Sequence, residues 1–150
     1  MKHYSILKIF FISLFGFTAS IVSAQLVLNN SVLAPQLVQN VLLGGGVTAS
    51  NITYTGSTFM TAEFTNGNTT NLGLDGGVLL STGLYSDVAQ PASAFMSSDF
   101  TYPGDADLDN LTTGGTFDAC VLEFDFIPLD DTIKFRYVFG SEEYPEYVCS

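Results

Sequence analysis

Residues 122–139 have the sequence LEFDFIPLDDTIKFRYVF. Apolar side chains alternate with charged ones on both sides of a Pro-Leu-Asp-Asp turn, and this period of two is typical of strands with one buried face. The pattern predicts a hairpin in which Asp125 faces Lys134 and Glu123 faces Arg136, with the aromatic side chains directed into the core. A slip of two residues would preserve both faces, so this register is a hypothesis.

Shorter patterns precede this segment. Pro35 suits the first turn of a helix whose apolar positions run to Leu42, and glycines at 44–46 provide its stop. Residues 85–118 are predicted to form a loop with one helical turn near Leu108. Strands are predicted at 47–55, at 58–64 with Met60, Ala62 and Phe64 on one side, and at 78–81. The predicted fold is mainly β, an antiparallel β-sandwich of jelly-roll type with one short N-terminal helix.

The first 24 residues have the pattern of an export signal. Lys2 and Lys8 supply a positive start, residues 9–22 are apolar, and small residues lead up to Ala24. The apolar stretch is shorter than the roughly 20 residues that span a bilayer. We therefore expect cleavage between Ala24 and Gln25, no membrane span in the mature chain, and a secreted or outer-surface location.

The composition excludes several classes of function. The chain has 15 Asp and Glu against 4 Lys and Arg, a formal net charge of −11, so it cannot bind nucleic acid by neutralising phosphates. It has no Trp, and its one His lies within the predicted export signal. Serine triads and zinc sites that need His are therefore excluded from the mature part.

Two cysteines, Cys120 and Cys149, lie in a chain predicted to reach an oxidising space. A disulfide between them would stabilise the fold by roughly 3 to 4 kcal/mol in the loop-entropy model. The alternative is two unpaired thiols, because spacing alone does not show that the two residues lie within bridging distance.

The first of two acidic clusters consists of Asp105, Asp107 and Asp109, which recur at every second position after Pro103-Gly104. Carboxylate oxygens suit calcium, which accepts six to eight ligands in flexible geometry. The alternative is a solvated acidic loop in which an Asp caps a helix. Calcium is the one cofactor that the sequence predicts.

The second cluster interleaves three carboxylates with two aromatic rings: Glu142, Glu143, Glu146, Tyr144 and Tyr147. The carboxylates are candidate cation ligands, and the two tyrosines are candidate ligand-binding residues for a sugar or partner surface. Paired carboxylates also permit a glycosidase, which would need a defined separation across a cleft.

Three segments resemble the choice-of-anchor L domain family: LVQNVLLGGGV at 37–47, LEFDFIP at 122–128 and FRYVFGSEEYPEY at 135–147. The resemblance implies a secreted bacterial surface protein, from a family whose members carry different C-terminal anchors. We expect a non-enzymatic exported module for adhesion or matrix interaction, with calcium as its one candidate cofactor and an extracellular glycan or protein as partner. The alternative is an accessory or catalytic module of a secreted polysaccharide-acting hydrolase.

Residues 25–150 are predicted to be an incomplete domain. The aromatic strand at 133–139 has few residues after it that could cover its edge, and family members continue with a further aromatic-rich strand. Expressed alone, these residues are expected to aggregate or to remain molten.

Overall fold

The computed structural model describes residues 25–43, 47–91, 93 and 96–141. The predicted export signal at 1–24, its cleavage site and the predicted glycine stop at 44–46 lie outside these ranges. Within them, no helix is both long and apolar enough to cross a membrane.

Two antiparallel sheets provide most of the regular structure. The strands are β1 (Val27–Asn29), β2 (Ala49–Thr55), β3 (Thr61–Thr65), β4 (Gly77–Leu80) and β5 (Val121–Phe126). One sheet has the order β1-β3-β4 and the other pairs β2 with β5. This confirms the prediction of a mainly β, antiparallel fold with a short N-terminal helix, while the jelly-roll packing of the sheets stays a prediction.

The predicted N-terminal helix is present, but most of it is not α-helical. The α-helical part, α1 (Ala34–Gln36), has Pro35 in its first turn and continues as a π-helical turn, Leu37–Leu42. The side chains of Leu37 and Val38 are fully buried. Gln39 donates from Nε2 to the Val47 carbonyl at 2.8 Å and accepts from the Ala49 amide at 3.0 Å. The Gln39 side chain therefore makes the two backbone hydrogen bonds that a neighbouring strand would otherwise make at the start of β2.

The side chains predicted to share one side of the strand at 58–64 are buried, and Thr61 on the other side is buried as well. Met60, Ala62 and Phe64 are all buried, and Met60 and Ala62 have no exposed surface. Residues 58–60 form a 3₁₀ turn that leads into the strand. After the strand, Asn66 adopts a left-handed conformation with φ of 64°, which Asn tolerates better than most residues, and the chain turns there.

A β-bulge shapes the pairing of β2 with β5. Ser50 lies opposite Asp125 and Thr53 opposite Glu123, so two residues of β2 face one residue of β5 between these pairs. The first of the two, Asn51, has φ of 50°. Its side-chain amide donates to Asp125 Oδ2 at 2.6 Å, so the bulge brings a neutral donor to that carboxylate.

The predicted hairpin between 122–126 and 133–139 is wrong. β5 forms as predicted and alternates half-buried and exposed side chains, but it pairs with β2. Residues 133–139 are in no strand and their side chains are exposed. The predicted charge pairs are replaced because β2 offers neutral donors to the two carboxylates of β5, and Arg136 Nη2 instead donates to the Gly73 carbonyl at 2.6 Å.

Candidate functional site

The long segment between β4 and β5 contains an acid-rich stretch, residues 99–118, which we call the acidic loop. It includes a predicted helical turn that the structure confirms as α2 (Ala106–Asp109). An isolated antiparallel bridge joins Pro103 to Phe117, so the two ends of the loop lie side by side. The loop carries five aspartates and no Lys, Arg or His.

Asp118 closes the acidic loop. Its Oδ1 accepts from the Tyr102 amide at 2.8 Å and its Oδ2 from the Phe100 amide at 3.2 Å. Its own amide donates to the Tyr102 carbonyl at 3.0 Å, and its backbone has φ of 51°. Asp tolerates the left-handed region because its short polar side chain can bond locally, and here both carboxylate oxygens hold the facing backbone.

Asp105 and Asp109 are also held by the backbone of the loop. Asp105 Oδ1 caps α2 by accepting from the amides of Asp107 at 2.9 Å and Leu108 at 3.1 Å. Asp109 Oδ1 accepts from Thr116, both from its amide at 2.5 Å and from its hydroxyl at 2.6 Å. Asp105 therefore acts as a helix cap, as the alternative interpretation of this cluster predicts.

Two of the side chains that the sequence assigns to a metal site, those of Asp105 and Asp109, accept hydrogen bonds from different groups of the loop. Over the described ranges, no three His, Cys, Asp or Glu side chains are grouped so that they could hold a metal ion. Calcium binding by Asp105, Asp107 and Asp109 stays a prediction.

Four aromatic side chains in the acidic loop and in the turn before β3 are exposed or half-buried. Phe59, in the 3₁₀ turn before β3, stacks on Phe100 with ring centroids 6.5 Å apart and planes 6° from parallel. Phe59 is 51% exposed, and Tyr102 and Phe117 of the acidic loop are 40% and 76% exposed. We call Phe59, Phe100, Tyr102 and Phe117 the aromatic set. Its stacked pair joins the acidic loop to the entrance of β3.

A partly buried contact between the end of β2, the turn before β3 and the start of β5 lies close to this loop. The Tyr54 hydroxyl donates to the Ser57 carbonyl at 2.6 Å and lies 3.4 Å from Cys120 Sγ, which contacts the Met60 carbonyl at 3.4 Å. Burial, together with the Cys120 thiol and the nearby Tyr102, raises the pKa of Tyr54 well above its ordinary value of 10.0. The neutral phenol is therefore the form that the fold favours.

The remaining predicted site residues lie outside the described ranges: Glu142, Glu143, Glu146, Tyr144, Tyr147 and Cys149. Their roles, and the disulfide between Cys120 and Cys149, stay predictions.

The aromatic set was missed in the sequence because its stacked members, Phe59 and Phe100, are 41 positions apart. The available signal was local: Phe100, Tyr102 and Phe117 are large aromatic residues in a stretch otherwise rich in Asp, Gly and Thr. Aromatic residues in a polar loop either anchor the loop to the rest of the domain or bind a ligand, and only their exposure distinguishes these two roles.

Comparison with known proteins identifies one family. The model of the choice-of-anchor L domain matches residues 25–150, which is most of the chain. No curated protein and no solved structure matches the chain.

Proposed function

The chain belongs to the choice-of-anchor L domain family, and from this premise we propose that it is a non-enzymatic adhesion module that binds neutral extracellular glycans. Domains of this family are surface-associated bacterial modules, so the protein is extracellular or at the cell surface. The partner must therefore be a molecule found outside the cell, such as a matrix polymer or a glycan.

The observation that carries the proposal is the stack of Phe59, which is 51% exposed, on the half-buried Phe100. Exposed aromatic rings are costly to hydrate, and contiguous apolar surface on a soluble protein marks an interaction site. Flat rings contact the C–H faces of sugars, while carboxylates accept hydrogen bonds from sugar hydroxyls. The acidic loop supplies both groups: exposed rings from the aromatic set, and carboxylates such as that of Asp107.

The charge of the loop selects the class of glycan. Five aspartates without a nearby cation in the loop sequence repel sulfated or uronic-acid polymers and leave neutral polyols unaffected. We therefore expect neutral polysaccharides to bind and acidic ones to be rejected at low ionic strength, with the rejection weakening as added salt screens the loop.

A glycan array followed by titration calorimetry tests the proposal. Phe59→Ala and Phe100→Ala should each weaken binding about two- to tenfold, since a well-stacked ring contributes about 0.5 to 1.5 kcal/mol. Leu33→Ala is the matched control, because Leu33 is also exposed and apolar but belongs to the N-terminal helix region. Equal binding by the three variants, or preferential binding of sulfated glycans, would refute the proposal.

Turnover of the bound polymer separates adhesion from hydrolysis. An adhesion module binds the polysaccharide and releases it unchanged. Release of reducing ends that is abolished by Glu142→Gln or Glu143→Gln would instead identify a hydrolase with those carboxylates as its acid and base.

A further inference from the structure

Residues 133–139 have the sequence pattern of a strand, but they are in no strand and their side chains are exposed. Ile133, Phe135, Tyr137 and Phe139 alternate with Lys134, Arg136 and Val138. Tyr137 is 84% and Phe139 85% exposed, and the segment is in no strand. Aromatic and β-branched residues at this period have a high preference for pairing with a sheet edge.

One sheet edge matches this segment in charge. In the part of the chain that the structure describes, four strands have an unpaired side: β1, β2, β4 and β5. β1, β2 and β4 contain no ionisable acid or base other than Tyr54, whereas β5 presents Glu123 and Asp125 on its exposed face. Lys134 and Arg136 are the only Lys or Arg after residue 24, and they have the same spacing of two residues.

We propose that residues 133–139 pair as an antiparallel strand with the free edge of β5 in a second copy of this chain. Placing Lys134 opposite Asp125 and Arg136 opposite Glu123 also places Phe135 opposite Phe124. The apolar side chains of the added strand then extend the half-buried face of β5, on which the Phe124 and Phe126 rings lie 5.9 Å apart. Main-chain hydrogen bonds supply affinity and the charge pairs select the register.

A second copy is the occupant because each chain carries both halves of the contact. Within one chain, the segment is in no strand, and Arg136 donates to the Gly73 carbonyl in the connection between β3 and β4. Two copies exchange the segment reciprocally, so the assembly closes as a two-fold dimer rather than growing into a fibre. An acidic edge on another protein could pair with the basic segment, but it would leave the acidic edge of β5 without its own basic partner.

Reciprocal charge reversal tests the dimer in the full-length protein. Lys134→Glu/Arg136→Glu gives an acidic segment facing an acidic edge, and Glu123→Lys/Asp125→Lys gives a basic segment facing a basic edge. Each variant alone should lose dimer affinity by about 100-fold in sedimentation equilibrium, because like charges then face each other across the strands. An equimolar mixture should recover a one-to-one heterodimer, because each segment again meets an edge of opposite charge.

The control variant Asp130→Lys/Asp131→Lys replaces two acids with two lysines, as Glu123→Lys/Asp125→Lys does, but in the turn before the segment. It should leave the dimer intact. Wild-type protein that stays monomeric at about 100 µM would overturn the proposal, since the segment would then not pair with β5 of a second copy. A mixture that stays monomeric, although both variants keep the wild-type circular dichroism spectrum, would also overturn it.

Discussion

Substitutions at Asp118 remove the hydrogen bonds of the acidic loop in graded steps. The carboxylate accepts from two backbone amides, Tyr102 at 2.8 Å and Phe100 at 3.2 Å, at a position with φ of 51°. Asn keeps one acceptor oxygen and tolerates this φ, Gly loses both bonds but adopts the φ freely, and Ala loses both bonds and resists the φ. The three replacements therefore separate side-chain bonding from backbone conformation.

The expected magnitudes follow from these contacts. A partly exposed hydrogen bond contributes about 1 kcal/mol, and the left-handed conformation costs a residue with a Cβ about another 1 kcal/mol. Asp118→Asn should destabilise the closed loop by about 1 kcal/mol, Asp118→Gly by about 2 and Asp118→Ala by about 3. At tenfold for each 1.4 kcal/mol, these losses correspond to about fivefold, 30-fold and 100-fold faster opening of the loop.

Amide hydrogen exchange at Tyr102 and Phe100 measures this opening locally. The buried Ala62 amide on β3 serves as the internal reference for global unfolding. Asp107→Asn is the matched control, because it removes the same charge from the exposed first turn of α2 and should change exchange less than twofold. Equal acceleration by Asp118→Ala and Asp107→Asn, or a larger effect of Asn than of Ala, would refute the reasoning.

Four further outcomes can be measured. Gly104→Ala should open the loop and lower the Tm, because its Cβ would clash with the backbone carbonyl oxygen of Thr116. The free energy of unfolding should fall as pH rises above about 10, since the unfolded state ionises Tyr54 before the folded state does; Tyr54→Phe should flatten this alkaline slope. Calcium should raise the Tm of wild type by more than that of Asp107→Asn, and equal shifts would remove the loop from calcium binding. Denatured, unreduced protein should show no reactive thiol if Cys120 and Cys149 are bridged, whereas two reactive thiols would contradict the disulfide.

Local structure could be predicted from the sequence wherever the backbone itself imposes a period or a conformation. Alternation placed Met60, Ala62 and Phe64 on one side, and all three are buried, because successive side chains of an extended segment point to opposite faces. Pro35 marked the start of a helix, because its fixed φ suits the first helical turn. The three family segments indicated the family that the comparison then confirmed.

The candidate site was predictable only in part. The sequence identified the carboxylates of the loop and offered a helix cap as one role for them, which Asp105 fulfils. It did not reveal that Asp118 closes the loop, because the amides it accepts from lie 16 and 18 positions earlier in the chain. Nor did it reveal the stack of Phe59 on Phe100, because no local pattern relates two such distant rings.

The amino-acid sequence alone determined which face of β3 and of β5 is apolar, the acidic character of the chain and its family, whereas β1 was not predicted. The tertiary structure decided which segments meet: β5 pairs with β2 and leaves residues 133–139 exposed. The side of a strand to which each side chain points is set by the local backbone geometry, and this geometry is the same in any short extended segment. Pairing is a competition among distant segments for the same hydrogen bonds and the same buried surface, and it is resolved only when all of them are present together.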